Sequence, residues 1–359
     1  MAGPISGRSV WTGDELARAN DWIMPWPDGA VEAIDGAFRA AAARGLSETA
    51  IRQADFPLPG LAPFFAAVLA ALEDGRGVVR ITGFPVARYT VAELRSIFWG
   101  IGTHLGTAVY QTAQGEIIGA VRDETRDDGI VSRQVAAKRQ GSPEVLASRA
   151  RARSTGPLRF HTDRCDVIAL LCASNGIAGG VSKLASIPHI HNEILRRRPD
   201  LHALLCQDYW RVRPEDEDGP GRGGVYALPV FGQRDGKLTC QYSRTYVEQA
   251  QERADVPRLS AAQNEALDLL AEIAEASCLH APFAEGDIQL LNNHVVFHGR
   301  TAYEDAQGSG KSRLLLRLWL SVANSRALPE GYERLWGATA AGALRGGVTL
   351  RDADRRSVA

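Results

Sequence analysis

The segment from Ser312 to Ser321 restricts the possible folds of this chain more than any other part of the sequence. Successive side chains of a β-strand point to opposite faces. In a strand, one face of this segment would carry Leu314, Leu316, Leu318 and Leu320, and the other Arg313, Leu315, Arg317, Trp319 and Ser321. Both faces are typical of a buried strand, so two arginines are expected inside the protein. A buried guanidinium needs an anionic partner, either an internal carboxylate or the carboxylate of a bound molecule, which arginine can hold through two parallel N–H groups.

Further apolar runs predict β-strands in the middle and at the end of the chain. The clearest are residues 77–83, 167–173, 287–291 and 295–299. Predicted helices cluster at the start and in insertions, and capping boxes begin at Thr12, Thr90 and Ser260. This mixture predicts a mainly β fold with helical insertions (α+β), built around a β-sandwich or jelly roll.

Two polar stretches interrupt these elements. Residues 123–157 are rich in arginine and lack periodicity, so we predict a long loop that borders an active site next to His161. Residues 215–224 are acidic and glycine-rich, and they predict a mobile surface loop.

The composition argues against several classes of protein. The formal net charge of −1 over 359 residues gives no basic surface for nucleic acid or an anionic membrane. The five cysteines form no C-x-x-C pair, so we expect reduced thiols of a cytoplasmic protein. No apolar stretch approaches the roughly 20 residues needed to cross a bilayer. We therefore expect no nucleic-acid or membrane partner, and the sequence leaves open whether the protein is a homo-oligomer.

The motif His161-Thr162-Asp163 is a candidate metal site. In an extended segment, residues i and i+2 project to one face, so both side chains can reach the same ion. His298, which follows a buried apolar run, is the best candidate for a third ligand. Two imidazoles and one carboxylate suit a non-haem iron(II) site that keeps three coordination positions open.

Other histidines are weaker candidates for the metal site. His189 and His191 follow Pro188 and are predicted to lie in a helix, where residues i and i+2 diverge by about 200°. His294 could share a face with His298 and line the pocket, but as a fourth ligand it would close a position that oxygen chemistry requires.

The motifs occur in the order His161-x-Asp163, Gly179-Gly180-Val181-Ser182, Asn293…His298-Gly299-Arg300 and Arg313-x3-Arg317-x-Trp319. From about residue 76 to 325, this order resembles the TauD/TfdA (taurine dioxygenase and clavaminate synthase-like) family of iron(II)- and 2-oxoglutarate-dependent oxygenases. The resemblance implies a double-stranded β-helix (jelly roll) core of the clavaminate synthase-like type. We expect residues 1–75 to form a helical extension packed on this core, residues 76–330 to form the oxygenase domain, and residues 331–359 to form a C-terminal tail.

The resemblance also implies cofactors and the residues that hold them. The chain would be a dioxygenase that uses Fe(II), 2-oxoglutarate and O2, and that releases succinate and CO2. Its iron ligands would be His161, Asp163 and His298. Arg313 matches the arginine that binds the distal carboxylate of 2-oxoglutarate. Ser182 would be a second co-substrate contact, in a Gly-Gly-Val turn where the family often has Gly-Gly-Asp.

The carboxylate of Asp163 bears on the type of reaction. Halogenases of the family lack it, so its presence argues against halogenation. The resemblance implies hydroxylation of an unactivated C–H bond as the default outcome. Desaturation, cyclisation and epimerisation use the same ligands and stay open. Two rival functions are a zinc-dependent hydrolase, for which no general base is evident beside the metal, and a non-catalytic binding protein on the same fold.

The substrate is less well defined than the cofactors. The candidate substrate-binding residues are Tyr110, Gln111, Arg211, Tyr242, Arg244 and Arg317. In several relatives, the position of Arg317 contacts an anionic substrate group. The abundance of arginine favours a small anionic or zwitterionic molecule, such as an amino acid or another carboxylate.

Overall fold

The structure of the protein is a computed structural model that describes residues 3–213, 224–306 and 312–350. Residues 215–223 of the predicted mobile loop lie outside the described residues. The strands are β1 (Ile23–Pro25), β2 (Val78–Thr82), β3 (Thr107–Ala108), β4 (Ile118–Val121), β5 (Leu158–His161), β6 (Val167–Ser174), β7 (Ala178–Gly179), β8 (Ser182–Ser186), β9 (Asp208–Arg213), β10 (Gly224–Pro229), β11 (Phe231–Arg234), β12 (Lys237–Cys240), β13 (Leu279–Ala281), β14 (Ile288–Asn292), β15 (Val296–Arg300), β16 (Tyr303–Glu304) and β17 (Leu314–Ser321).

Helices precede, interrupt and follow these strands. The α-helices are α1 (Gly13–Arg18), α2 (Ala30–Ala43), α3 (Ala62–Glu73), α4 (Val91–Gly102), α5 (Ile130–Arg139), α6 (Ser148–Ala152), α7 (Ile187–Arg197), α8 (Pro199–Leu205), α9 (Arg244–Gln251), α10 (Ala261–Ser277) and α11 (Glu333–Trp336). Short 3-10 turns occur at Glu48–Ala50, Gln53–Asp55, Pro59–Leu61 and Val86–Arg88.

Two sheets pack face to face and form the core. The main sheet has the strand order β1-β2-β14-β6-β17-β3, with β4 also paired to β17, and the second sheet has the order β13-β8-β15-β5. Leu170 and Trp319 of the main sheet share a buried cluster with Leu184 and Val296 of the second sheet. The two sheets therefore enclose an apolar interior, and the predicted fold class, an α+β fold with a jelly-roll core, is confirmed.

The leucine face of β17 packs against the N-terminal helices. Leu316 and Leu318 are fully buried in a cluster that includes Ile34 of α2 and Phe65 of α3. These helices cover the outer face of the main sheet. The opposite face of β17, with Trp319, is turned toward the second sheet.

The stretch 123–157 is not the long loop that its lack of periodicity predicts. It contains α5 and α6, which share a small buried cluster of Val131, Ala147 and Ala150. Half of the residues of α5 are polar and many are good helix formers, so helix propensity and this local cluster hold it without a wide apolar stripe.

The described part of the predicted C-terminal tail, residues 331–350, packs on the fold. Trp336 and Val348 are buried, and the buried guanidinium of Arg345 donates to Asp166 at 2.8 Å. The charged final residues 351–359 lie outside the described residues. This segment therefore supplies side chains close to the loop that follows β5.

All five cysteines are free thiols. Burial raises the pKa of the Cys165 and Cys240 thiols, and raises that of Cys172 to about 12. These three thiols therefore stay protonated at neutral pH. Among the described residues, no helix has both the length and the apolar character needed to cross a membrane.

Candidate functional site

Strands β5 and β15 bring the predicted metal ligands together. His161 lies directly opposite His298 in the antiparallel pairing, and their ring centroids are 4.2 Å apart. Asp163 follows two residues after His161. Its Oδ1 is 3.6 Å from Nε2 of His161, and its Oδ2 is 3.7 Å from Nε2 of His298. Ligand atoms of all three residues lie within 4.8 Å of one another, so a single ion could contact all of them.

Hydrogen bonds fix the orientation of this cluster. Nδ1 of His161 is 2.9 Å from the carbonyl oxygen of Arg159, which assigns the proton to Nδ1 and leaves the lone pair on Nε2. Trp319 Nε1 donates to Oδ2 of Asp163 at 3.0 Å, and the Asp163 backbone N–H donates to Asn293 Oδ1 at 3.0 Å. The second sheet thus supplies the imidazoles, while Trp319 of the main sheet orients the carboxylate.

Burial and neighbouring charges set the ionisation of the cluster. Burial, aided by the proximity of His161, lowers the pKa of His298 to about 3. Burial alone would raise the pKa of Asp163, but its electrostatic interactions with His298, Arg317 and His161 and the hydrogen bond from Trp319 outweigh burial and lower the pKa overall. At neutral pH His298 is therefore neutral and Asp163 ionised, which are the forms that bind a metal.

The donor set fits iron(II). Two imidazoles and one carboxylate form the facial triad typical of non-haem iron(II) oxygenases, and three ligands leave positions for a co-substrate and oxygen. Zinc accepts the same donors. The distinction between the two metals therefore depends on what else lines the site.

Two compartments adjoin the cluster, and both His161 and Arg317 line each of them. The first, here called the inner compartment, lies between the sheets. Its walls are mostly apolar, and its polar lining residues besides the two shared ones are Ser182, His298, Arg300 and Arg313.

Arg313 is 2% exposed and lacks an anionic partner in the described part of the chain. Its Nη1 donates to Asn175 Oδ1 at 3.1 Å, its guanidinium lies 5.5 Å from the centre of the Tyr303 ring, and Nε finds no hydrogen-bond partner there. The sequence left two possible partners for this arginine, an internal carboxylate or the carboxylate of a bound molecule. No internal carboxylate forms an ion pair with Arg313 among the described residues. Burial lowers the pKa of Arg313, and a carboxylate bound in the inner compartment would offset this cost.

The turn before β8 makes room for this guanidinium. Gly180 has a φ of +65°, and a Cβ at this position would lie 2.7 Å from Nη1 of Arg313, so the turn requires glycine. Ser182 follows and lines the same compartment. Its Oγ accepts a hydrogen bond from Gln289 Nε2 at 3.1 Å, which leaves the hydroxyl proton for donation to a ligand.

The second cavity, here called the outer compartment, opens toward α6, β9 and the C-terminal segment. Asp163 and Trp319 form its floor, and the arginines in its lining are Arg149, Arg153, Arg164, Arg213 and Arg317. Arg317 Nε donates to Oε1 of Gln111 at 2.6 Å, and its guanidinium lies 5.2 Å from the centre of the Trp319 ring. These contacts hold Arg317 beside the carboxylate of Asp163.

Two of the predicted substrate-binding residues, Tyr110 and Arg211, do not line either compartment. Tyr110 lies outside both linings, although its neighbour Gln111 is part of the outer one. Arg211 is fully buried, and its guanidinium donates to the backbone carbonyls of Tyr209, Leu228 and Gln241. Arg211 therefore has a structural role in holding neighbouring chain segments together.

Tyr242 and Arg244 line a separate groove that includes neither His161 nor Asp163. Arg244 forms ion pairs with Glu248 at 3.2 Å and with Asp268 at 3.1 Å. The structure thus provides carboxylate partners for Arg244 within the protein, in contrast to Arg313.

The remaining histidine candidates also lie away from the cluster. His189 and His191 belong to α7, as predicted. His294 does not line either compartment; it is fully buried between Asp166 and Thr239, with nitrogen–oxygen distances of 3.0 and 2.6 Å. The prediction that His294 could line the pocket is wrong, because the turn after β14 directs its ring toward the C-terminal segment.

Several residues at the site have no clear signal in the sequence. The strand pattern puts Trp319 on the same face as Arg317, but it gives no reason to connect Trp319 with Asp163. Leu335 and Val348 of the C-terminal segment also line the outer compartment. Only the folded structure brings such distant segments together.

Comparisons with known proteins identify relatives of this chain. The chain matches the family described as "Taurine catabolism dioxygenase TauD, TfdA family" over residues 42–319. It is 30% identical over 354 residues to FR-33289 synthase of Streptomyces rubellomurinus (strain ATCC 31215), covering 94% of this chain and 96% of the relative. It is 29% identical over 323 residues to the taurine hydroxylase-like protein SAT17 of Stachybotrys chartarum (strain CBS 109288 / IBT 7711), covering 89% and 80%.

Solved structures share the fold. Asparagine oxygenase in complex with Fe(II), 2S,3S-3-hydroxyasparagine and succinate aligns with a TM-score of 0.61 at 14% identity, covering 83% of this chain and 93% of that chain. The non-heme iron oxygenase OrfP in complex with Fe and alpha-ketoglutaric acid aligns with a TM-score of 0.58 at 15% identity, covering 90% and 99%.

The family match covers most of the chain, and FR-33289 synthase is related over nearly its full length. The chain therefore belongs to the TauD/TfdA family. It is a 2-oxoglutarate-dependent non-haem iron dioxygenase, and Fe(II), 2-oxoglutarate and O2 are its cofactor and co-substrates, as the order of the sequence motifs predicts.

Proposed function

We propose that this dioxygenase hydroxylates an unactivated C–H bond of a small anionic or zwitterionic molecule, with iron(II) held by His161, Asp163 and His298. The observation that carries the proposal is the position of these three side chains at the junction of two compartments. The inner compartment offers a buried arginine without a described anionic partner, and the outer one is lined with further arginines.

The two compartments would hold different molecules. In the inner one, Arg313 would bind the distal carboxylate of 2-oxoglutarate through its planar fork of N–H groups, and Ser182 would donate to the same co-substrate. In the outer one, Arg317 would orient the substrate beside Asp163. The bound iron, 2-oxoglutarate and O2 supply the oxidising chemistry, and succinate and CO2 are released. The apolar walls between the sheets exclude water from this reaction.

The lining of the site disfavours hydrolysis on zinc. Among the described residues that line the two compartments, Asp163 is the only carboxylate, and it is the candidate metal ligand. A hydrolase would need a further group beside the metal to serve as general base. The carboxylate of Asp163 also disfavours halogenation, whereas desaturation, cyclisation and epimerisation would use the same residues.

An anaerobic titration with Fe(II) and 2-oxoglutarate tests the metal assignment. We expect the weak visible charge-transfer band of a 2-oxoglutarate–iron(II) chelate in the native protein and its loss in His161→Ala. His189→Ala, which removes a histidine of α7 outside the cluster, is the matched control and should keep the band. An undiminished band in His161→Ala, or turnover of a substrate without oxygen, would contradict the proposal.

A further inference from the structure

Two arginines of the outer compartment have donors that no described residue uses. Nε of Arg149, on α6, and Nε of Arg213, at the end of β9, are buried without a hydrogen-bond partner. No ion pair joins either guanidinium to a carboxylate within residues 3–213, 224–306 and 312–350. Arg213 donates one terminal N–H to the carbonyl of Arg334, and its guanidinium lies 5.3 Å from the centre of the Tyr226 ring.

A third arginine of the same lining, Arg153, has carboxylate partners within the protein. Arg153 is 7% exposed and forms ion pairs with Glu116 at 2.5 Å and with Glu124 at 2.6 Å. Glu116 also lies within electrostatic range of Arg149, but the hydrogen bonds of this carboxylate to guanidinium groups all come from Arg153. Within the described part of the chain, Glu116 and Glu124 are thus both paired with Arg153. Arg149 and Arg213 keep charge in a partly dehydrated place, which is costly unless an anion binds there.

The position of this pair indicates which molecule would bring the anion. Arg149 and Arg213 line the outer compartment but not the inner one, whereas His161 and Arg317 line both. An anion held by the pair would therefore lie on the side of the cluster away from Arg313, where the co-substrate is proposed to bind. It would therefore belong to the substrate.

We propose that Arg149 and Arg213 form a second oxyanion subsite, which binds a doubly charged oxyanion group at the end of the substrate remote from the metal ligands. Two guanidinium groups that have no carboxylate partner among the described residues match a group with two negative charges and several acceptor oxygens better than they match a single carboxylate. This inference rests on the proposed function, because it assigns the outer compartment to the substrate.

Inorganic phosphate is the probe for this subsite. Calorimetric titration of phosphate into the anaerobic Fe(II)- and 2-oxoglutarate-loaded enzyme should show saturable binding while the visible charge-transfer band persists. Arg149→Gln and Arg213→Gln should each weaken phosphate binding about tenfold, as expected for the loss of one charge-assisted contact. Arg151→Gln, which removes an arginine of α6 outside the compartment lining, should change the affinity less than twofold.

The possible results separate this inference from the proposed function. Unchanged phosphate affinity in the Arg149→Gln, Arg213→Gln double variant, acetate bound as tightly as phosphate, or loss of the band on adding phosphate would overturn the subsite. Absence of the band before phosphate is added would instead tell against the proposed function. Candidate substrates that end in a phosphoryl group or in two adjacent carboxylates, screened for stimulated succinate formation, then distinguish the two sources of a double charge. Stimulation by neither class, with stimulation by uncharged analogues, would also overturn the subsite.

Discussion

The inner and outer compartments meet at His161, but His298 lines only the inner one, Asp163 lines only the outer one, and different parts of the fold build them. The inner compartment is enclosed by strands of both sheets, and its ionic residues Arg300 and Arg313 lie at the ends of β15 and β17. The outer compartment is completed by α6, β9 and the C-terminal segment, which lie outside the two main sheets.

This difference suggests which side is more constrained by the fold. The position of His298 opposite both His161 and Leu184 is set by the pairing of β15 with its neighbours, so shifting it would disturb a whole ladder. The outer wall is built instead from α6, the β9–β10 pair and the C-terminal segment, none of which belongs to the two main sheets. The family match ends at residue 319, before Leu335 and Val348, which line the outer compartment. We infer that the inner side serves the common chemistry and the outer side the choice of substrate.

The largest expected effect tests whether the ion pair of Arg345 with Asp166 holds the C-terminal segment, which lines the outer compartment, on the fold. Arg345 Nε and His294 Nε2 both lie within 3.0 Å of Oδ1 of Asp166, and the Arg345 and Asp166 side chains are 0% and 2% exposed. Replacing Arg345 with Met leaves a buried carboxylate short of a partner, so the free energy of unfolding should fall by about 3 kcal/mol. Urea denaturation measures this change.

The control for this prediction is Arg334→Met, which alters an exposed arginine of the same segment and should cost less than about 0.5 kcal/mol. Because the folded protein lowers the pKa of Asp166, its ionic contribution is present above the pKa of the unfolded chain and is lost as the pH falls through the lowered value. The difference between the two variants should therefore shrink in acid. Equal stability of both variants at neutral pH would mean that the outer wall does not depend on this ion pair.

The next effect concerns the inner compartment. Arg313→Lys keeps the charge but removes the planar fork, so the KM for 2-oxoglutarate should rise about 100-fold, the equivalent of nearly 3 kcal/mol. Steady-state succinate formation at varied 2-oxoglutarate measures it. Arg159→Lys, in an exposed ion pair on β5, is the control and should leave this KM unchanged. A normal KM in Arg313→Lys would place the co-substrate elsewhere.

The smallest of the three effects tests whether the two compartments bind different molecules. Arg317→Ala should raise the substrate KM about tenfold and leave the KM for 2-oxoglutarate unchanged, because one charged contact to the substrate is lost. The control is Arg244→Ala, since Arg244 lies in a separate groove with its own carboxylate partners. An equal rise in both KM values for Arg317→Ala would show that the two compartments are one functional space.

The sequence by itself determines the candidate metal ligands and the arginine-bearing face of the segment from Ser312 to Ser321. Strand periodicity puts Arg313, Arg317 and Trp319 on one face of β17, and the i, i+2 spacing puts His161 and Asp163 on one side of an extended segment. These are local properties of the chain, set by backbone geometry within a few residues. The order of the motifs then predicts the family, the fold class and the cofactors, which the comparisons confirm.

The tertiary structure alone decides the rest of the outer compartment. Helix α6 forms in a stretch with no helical periodicity, and Arg300 of β15 donates to the carbonyls of Arg151 and Ala152 at its end, which places Arg149 at the compartment. Arginine and tyrosine are plausible substrate-binding residue types, and the sequence predicts this role for Arg244 and Tyr110. In the structure Arg244 forms ion pairs with carboxylates of the protein, and Tyr110 lies outside the lining of the outer compartment. Whether a polar side chain meets an internal partner or a cavity depends on how the folded segments pack, because one arginine such as Arg244 pairs with both a neighbour on its own helix and a residue of another helix.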